Sequence, residues 1–242
     1  MAERARKTGA TSKASAKGRR RKAEPRRLGR PPDTSSAETR QRVIEVARRH
    51  FGDFGYDTTT NKGVAQDADI TTGAIYHYFE SKEDLYRTVA DEAAETIFGR
   101  FEAALEGVDG SVAKLHAALE CALALEKEDP TLASFIVSVP VEARRHPELV
   151  DVARAQSTRN VKFFRAILED GLATGEIARD VDIDAVSEMV SAMMGGLARH
   201  ATLVQNYDRH ALAIVGFQRL IEGTLFAQRS PRLVRQSSRK SV

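Results

Sequence analysis

Apolar residues recur at intervals of three and four along most of the chain, which is the spacing of one face of an α-helix. The first such segment covers residues 38–54, with Val43, Phe51 and Phe54 on its inner face. Gly55 follows, and glycine commonly ends a helix. Because we find no alternation of apolar and polar residues typical of strands, the pattern predicts an all-α protein.

Two short helices joined by a tight turn are predicted next. Residues 61–68 form the first, capped by Thr60, and residues 72–78 form the second, capped by Thr71. Ile70 is the only apolar residue of the three-residue break, so we expect it to fill the angle between the helices. This is a helix-turn-helix pattern, whose second helix fits the DNA major groove. The pattern alone is also compatible with a polar surface of a helical bundle.

The outward face of the helix pair has chemistry suited to DNA. Gly73 and Ala74 are small, so the backbone can approach base edges, and Thr72 can donate or accept a hydrogen bond. The side chains with donors that could reach phosphates are Tyr76, His77 and Lys82.

The helical pattern continues through the second half of the chain. Ser81 opens a helix whose apolar stripe runs from Leu85 to Phe101 and leads out of the helix-turn-helix. Further helices are predicted at residues 111–126, 131–137, 148–174, from 182 onward and at 210–228. Pro140 and Pro147 are expected to bound a short irregular piece.

The penultimate helix carries an apolar stripe of Val, Met and Leu, and the final helix is apolar on most sides near its start. A helix apolar around most of its circumference needs two partners, and we expect the second to be another subunit. The residues predicted for this dimer interface are Val186, Val190, Met194, Leu197, Leu212, Val215 and Leu220.

Inward aromatic and methionine side chains of the second half are candidates for lining a small-molecule pocket. They are Phe98, Phe101, Phe135, Phe163, Phe164, Met189 and Met193. Apolar residues at helical spacing are more often ordinary core, so core packing is the alternative for each. A pocket with this lining would suit an apolar or amphipathic molecule.

The net charge of +3 conceals a strong asymmetry along the 242 residues. Residues 1–32 hold 12 Lys or Arg against two Glu, and residues 228–242 hold five without an acid. The arm at residues 1–33 has almost no apolar side chains to build a core and is expected to be disordered, and so is the basic tail at 229–242. Basic ends on an acidic body indicate a polyanion partner.

The end of the basic arm, Gly29-Arg30-Pro31, resembles the core of an AT-hook, in which an arginine lies in the minor groove. Leu28 stands where that motif usually has another arginine, so the resemblance is partial. A solvated tail that binds DNA without sequence preference has equal weight.

Other classes of protein are poorly supported. No apolar run approaches the ~18–20 residues that cross a membrane. The single cysteine, Cys121, excludes an internal disulfide and suits a reducing cytosol, so a cytoplasmic protein is expected. The six histidines are scattered without a zinc-binding spacing, and neither a phosphate loop nor a nucleophile elbow is present. We therefore expect no enzyme activity, metal or cofactor.

The stretch from Val43 to Tyr86 resembles the tetracycline-repressor (TetR/AcrR) family of transcriptional regulators. The matching residues are Phe51, Gly55, Tyr56, Thr59, Thr60, Val64, Ala65, the run from Ala68 to Phe79, and the run from Ser81 to Leu85. The resemblance implies an all-α homodimer with a three-helix DNA-binding domain at residues 34–80. It also implies a larger ligand-binding and dimerisation domain at residues 81–228.

The resemblance also implies roles for individual residues. Thr72, Gly73 and Ala74 would face bases, with Thr71 capping their helix at the DNA surface. The residues implied to hold phosphates are Thr59, Thr60, Tyr76, His77 and Lys82, and those implied to be core are Ile70, Ile75 and Phe79.

Three positions depart from the family pattern. Asp69 replaces the usual turn glycine, and aspartate tolerates a left-handed conformation there. Gly63 lies inside the first short helix, at a cost of roughly 1 kcal/mol relative to alanine. Thr72 replaces the common lysine, so the DNA sequence recognised cannot be transferred from relatives.

These observations predict a homodimeric regulator that binds a double-stranded DNA operator and has no membrane partner. The leading hypothesis is a repressor released from a palindromic operator by a small apolar or amphipathic effector. The alternative is an architectural or non-specific DNA-binding protein that depends on its basic arms and has no effector.

Overall fold

A computed structural model describes residues 35–225, which form nine α-helices and contain no strand. The all-α prediction is therefore confirmed for this part of the chain. The helices are α1 (Ser36–Thr58), α2 (Asn61–Asp67), α3 (Thr72–Ile75), α4 (Lys82–Leu105), α5 (Ser111–Glu128), α6 (Pro130–Ala143), α7 (Val150–Thr174), α8 (Ile183–Val204) and α9 (Tyr207–Ile221), with a 3₁₀ turn at Pro147–Leu149. The arm at residues 1–33 and the tail at 229–242 lie outside the described residues.

Helix α1 begins with a capping box. The Ser35 hydroxyl accepts from the Glu38 amide at 3.1 Å, and the Glu38 carboxylate accepts from the Ser35 amide at 2.8 Å. Near its end the helix is interrupted at Gly55, where φ is 78° and ψ is 174°. The predicted stop at Gly55 is correct in that sense, although a last helical turn continues to Thr58. Phe54, predicted to face inward, is 59% exposed.

Side-chain caps set the two short helices that follow. The Thr60 hydroxyl accepts from the Gly63 amide, and the Thr71 hydroxyl accepts from the Ala74 amide, both at 3.1 Å. Asp69 between them has φ of 53°, the left-handed conformation expected for the turn. Helix α3 is only four residues long, shorter than the predicted 72–78, because residues 76–78 continue as a turn.

The helix-turn-helix and the rest of the protein share one core. Phe51 and Tyr56 of α1 pack against Tyr86 of α4, with ring centroids 4.9 and 5.3 Å apart. Tyr86 lies 5.2 Å from Phe135 of α6. Phe135 is fully buried in this cluster. Phe135 therefore lies at the junction of the two parts of the protein. It does not line the cavity, although it was predicted as a pocket residue.

Helix α6 continues through Pro140 to Ala143, so the predicted irregular piece begins later than expected. A proline inside a helix leaves the carbonyl four residues earlier without its usual donor. That carbonyl belongs to Ile136, and Gln156 of α7 donates to it at 3.2 Å. A side chain from another helix thus satisfies the interrupted turn, which a local reading of the sequence could not detect.

The remaining helices enclose the second half of the core. Helices α7 and α8 pack side by side, and α9 lies against α5 and α8. Within residues 35–225, no helix is long and apolar enough to cross a membrane.

Candidate DNA-binding surface and ligand cavity

Helix α3 presents the predicted base-reading residues to solvent. Thr71, Thr72, Gly73 and His77 are exposed, and Ala74 is half-buried. The nearest atom to a Cβ added at Gly73 would be the Thr71 hydroxyl at 4.0 Å. Packing within the protein therefore does not require glycine here, and the space in front of the backbone is open to a partner. Tyr76 stands beside this patch with 56% of its surface exposed.

The opposite side of the helix pair is fixed firmly to the core. Ile75 and Phe79 are buried, as predicted, and Ile70 is half-buried against the core. Arg42 of α1 donates through Nε to the Ala68 carbonyl at 2.9 Å, at the end of α2. The exposed face of α3 is thus presented by a rigid support.

Gly63 lies on the side of α2 that faces His50 of α1. His50 of α1 contacts Asp67 of α2 at 2.7 Å and so passes close to the helix. A Cβ at Gly63 would lie 3.3 Å from the Thr60 hydroxyl and 3.6 Å from His50 Cε1. The distance to His50 is an ordinary van der Waals contact, and the tighter contact is with the capping side chain of α2 itself, so alanine at this position requires only a small shift of Thr60.

Two side chains that were predicted to bind phosphates have hydrogen-bond partners within the protein. Thr59 is 2% exposed, and its hydroxyl donates to the Gly55 carbonyl at 2.8 Å. Its side chain is therefore not among the exposed side chains that could contact DNA. Lys82 donates to the Tyr56 carbonyl at 2.9 Å, and its Nζ lies 4.2 Å from the Tyr56 ring centroid. Thr60 is exposed, and its hydroxyl accepts the capping hydrogen bond from the Gly63 amide. Arg30 lies outside the described residues.

A cavity of about 130 Å³ lies between helices α4 to α9. Of the predicted pocket residues, Phe98, Phe101 and Phe164 line it. Phe163 packs behind two of them, 5.4 Å from Phe98 and 5.5 Å from Phe101 between ring centroids, and does not line the cavity. The lining also includes Ala94, Ile97, Leu119, Ala122, Leu125, Leu132, Ala133, Ile136, Gly195, Ala198, Ala201 and Ile214.

On α8, the side chains predicted for the pocket and those predicted for the dimer interface have exchanged places. Met189 and Met193, predicted for the pocket, are 55% and 38% exposed on the outer face. Met194 and Leu197, predicted for the dimer interface, line the cavity. Val190 is buried in the core. Both sets lie on adjacent rows of an apolar helix, and the sequence could not tell which row faces inward.

The outer face of α9 is as apolar as predicted. Leu212, Val215 and Leu220 are 70%, 48% and 45% exposed. Val186 at the start of α8 is half-buried against the core. The exposed apolar side chains of the two helices are Met189, Met193, Leu212, Val215 and Leu220, and we call them the α8–α9 face.

Polar side chains also line the cavity, and the sequence analysis identified none of them. They are Glu126, Asp129, Gln156, Asn160 and His210. The helical spacing of the sequence could have indicated them, because Glu126 follows Leu119 and Ala122 on the inner side of α5. Likewise, His210 precedes Ile214 and Phe217 on the inner side of α9.

Histidine 210 is buried between two titratable groups. Its Nε2 lies 3.3 Å from Glu126 Oε2, and its Nδ1 lies 3.3 Å from Nδ1 of His200. Burial lowers the pKa of His210, the Glu126 carboxylate raises it, and His200 lowers it further, with a net decrease. The ring is therefore held mainly neutral near pH 7.

Asp129 connects the cavity with the DNA-binding part. Its side chain lines the cavity, caps the start of α6 and forms an ion pair with Arg48 of α1. The Arg48 Nε also donates to the Thr131 hydroxyl at 3.1 Å.

Within residues 35–225, no group of three or more His, Cys, Asp or Glu side chains could hold a metal ion.

Two family models match the chain. The model described as bacterial regulatory proteins of the tetR family covers residues 43–89, and the model described as the BetI-type transcriptional repressor C-terminal domain covers residues 111–220. The first contains the helix-turn-helix, and the second contains helices α5 to α8 and nearly all of α9.

Curated relatives are similar over most of the chain. The HTH-type transcriptional repressor KstR2 of Mycolicibacterium smegmatis is 29% identical over 164 residues, which cover 66% of this chain and 78% of KstR2. The HTH-type transcriptional regulator UidR of Escherichia coli is 23% identical over 194 residues, covering 80% of this chain and 96% of UidR.

Solved structures show the same fold. GusR of Salmonella enterica superposes with a TM-score of 0.66 at 28% identity, covering 79% of this chain and 97% of GusR. FadR of Bacillus subtilis, solved in complex with stearoyl-CoA, superposes with a TM-score of 0.67 at 23% identity, covering 76% of this chain and 98% of FadR.

Proposed function

The chain belongs to the tetracycline-repressor family of DNA-binding transcriptional regulators, and from this premise we propose that it is a dimeric, ligand-released repressor. In this proposal two copies of α3 bind a near-palindromic operator, and a small apolar or amphipathic molecule in the cavity weakens that binding. The observation that carries the proposal is the path of α4, a single helix that begins at the DNA-binding surface and has its second half in the cavity wall.

The geometry of α4 makes the coupling physically direct. The Ser81 hydroxyl caps the helix by accepting from the Asp84 amide at 3.0 Å, only two residues after the buried Phe79. Farther along, Ala94, Phe98 and Phe101 line the cavity. Since a helix rises about 1.5 Å per residue, Phe98 lies roughly 24 Å along the helix from Lys82. A ligand that displaces Phe98 therefore acts on α4, a continuous helix that begins beside α3.

The α8–α9 face supports the proposed dimer. An exposed apolar surface of this kind on a monomer is typical of an interface. A two-fold dimer would place two recognition helices about one DNA turn apart, or slightly more, which suits two half-sites of an inverted repeat.

The names of the relatives support the repressor role and an effector. KstR2 is described as a transcriptional repressor, and FadR of Bacillus subtilis was solved with stearoyl-CoA. We propose by analogy that this chain also represses transcription and responds to a small molecule. Its apolar cavity is the site where that molecule would bind.

The second candidate is a protein that packages or bends DNA through its basic arms, and the charge of residues 1–32 favours it. The two functions differ in salt dependence, because binding to phosphates alone weakens equally on all sequences as salt rises.

The two candidates can be separated with the full chain and a variant lacking residues 1–33, titrated onto an operator duplex and a scrambled duplex at rising salt. The repressor proposal predicts a complex that prefers the operator at ~0.2 M salt, with the truncation weakening both duplexes alike. Equal binding to both duplexes, lost on truncation, would support the architectural function instead.

A further inference from the structure

We propose that the cavity selects ligands with a protonated amine on a small apolar or aromatic body, and that the amine binds the carboxylate of Glu126. This inference rests on the proposed function in treating the cavity as the effector site. It adds the chemical class of the group that the cavity recognises and the residue that recognises it.

The first observation is an unsatisfied oxygen. Glu126 Oε2 is buried and has no hydrogen-bond partner within the described chain. His210 Nε2 lies 3.3 Å away but is not directed to donate to it. A buried carboxylate oxygen without a donor costs free energy, which an incoming N–H group would recover. The Glu126 side chain is 16% exposed, so solvent reaches it only in part.

The second observation is the sign of charge around the cavity. Its lining contains Glu126 and Asp129 but no Lys or Arg from the described part of the chain. Asp129 is already paired with Arg48, whereas the neighbouring His210 has a lowered pKa and stays mainly neutral. The carboxylate of Glu126 is therefore not balanced by the protein.

Nearby cations have other partners. Arg100 donates two hydrogen bonds to Glu128, at 2.8 and 3.0 Å, and the guanidinium of Arg159 lies 4.9 Å from the Phe98 ring centroid without lining the cavity. An anionic ligand would consequently enter a site with the unpaired carboxylate of Glu126 and no cation in the lining to receive it. This argues against a free carboxylate head inside the cavity.

The third observation is the aromatic part of the cavity lining. Phe98, Phe101 and Phe164 contribute aromatic rings to the cavity, and aromatic faces attract cations. The volume of about 130 Å³ suits a group near the size of a benzene ring. A ring with a short aminomethyl group fits both the volume and the charge.

A matched series of probes tests the inference: benzylammonium, benzyl alcohol and benzoate share one ring and differ in charge. Each is titrated into the full-length protein at pH 7.5 by calorimetry, up to about 10 mM, since an eight-atom ligand is expected to bind near ~1 mM. Benzylammonium should bind at least about tenfold more tightly than benzyl alcohol, and benzoate should be the weakest.

Substitution of the carboxylate identifies the residue. Glu126→Gln should reduce the preference for benzylammonium over benzyl alcohol to less than about threefold, whereas Glu120→Gln, on the exposed side of α5, should leave it unchanged. Glu126→Asp keeps the charge and should retain part of the preference, which serves if the glutamine variant is poorly folded.

Benzoate binding as tightly as benzylammonium, an unchanged preference in Glu126→Gln, or no benzylammonium binding at 10 mM would each overturn the inference. These measurements use no DNA. Selective amine binding that fails to release the operator would therefore contradict the proposed effector role while leaving the chemical preference intact.

Discussion

Arg48 of the DNA-binding part and Asp129 of the cavity wall form an ion pair across the packed helices α1 and α6. The Arg48 side chain is only 14% exposed, so the pair is partly shielded from solvent. One guanidinium thus connects the support of the recognition helix with a side chain that a ligand can touch.

We expect this pair to contribute to the packing of α1 on α6. Arg48→Leu and Asp129→Asn should each lower the free energy of unfolding by about 1 kcal/mol, because each leaves a partly buried polar partner unpaired. The double variant should lose less than the sum of the two, by about 1 kcal/mol, in a urea-unfolding cycle. Strict additivity would show that the two side chains do not interact.

Gly55 is required by both its backbone conformation and its surroundings. With φ of 78° and ψ of 174° it occupies a region essentially restricted to glycine, and a Cβ would lie 2.7 Å from Glu142 Oε1. Gly55→Ala should therefore lower the unfolding free energy by about 1–3 kcal/mol. Gly99→Ala, in the exposed middle of α4 with nothing within 4 Å, should instead raise it by roughly 0.5–1 kcal/mol. Similar effects from both substitutions in thermal or urea unfolding would refute this explanation.

The α8–α9 face should control assembly. Leu212→Glu places a charge where an apolar side chain would be buried by a second subunit, and should weaken the dimer by at least about tenfold. Val141→Glu, at an exposed position on α6, provides the matched control and should leave assembly unchanged. Sedimentation equilibrium measures both. A monomeric wild-type chain, or a Leu212→Glu protein that stays fully dimeric, would contradict the proposed interface.

His210 should make stability depend on mildly acidic pH. Burial keeps its pKa below the ordinary value of 6.5, so in acid the unfolded chain binds a proton that the native ring does not. The effect of His210 on stability is constant above pH 6.5. As the pH falls from 6.5 toward the lowered pKa of the ring, the native state loses stability. Glu126 and His200 face the ring and modify the size of the effect. His210→Asn should show a smaller loss of melting temperature between pH 7.5 and 5.5 than the wild type, and an equal loss would contradict the assignment.

Local signals in the sequence predicted the DNA-binding half well. Thr60, Thr71 and Ser81 cap their helices as expected, and Asp69 adopts the left-handed turn. A cap or turn depends on a few neighbouring residues, so its geometry can be predicted from the chain itself. The burial of Thr59 and the bond from Lys82 to Tyr56 could not, because both depend on how the end of α1 folds back at Gly55.

The cavity was harder to predict because six helices contribute to it. Met193 and Met194 are neighbours in an apolar stretch, and only the packing of α8 against α7 decides which one faces inward. Phe135 has the same side chain as Phe164 but lies between α1 and α4 instead of at the cavity. Glu126 and His210 meet across 84 residues of sequence, a distance that no local pattern spans.

If the exposed face of α3 reads a two-fold DNA site, selection from a random duplex library with the full-length protein should recover that site. The selected sequences should be near-palindromes with half-sites about one DNA turn apart or slightly more. Gly73→Asp, which the open space at Gly73 accommodates, should lower affinity for that site at least tenfold, while Gly99→Asp on α4 should not. A library that remains without an enriched sequence, or a selected site bound equally well by Gly73→Asp, would contradict this role of α3.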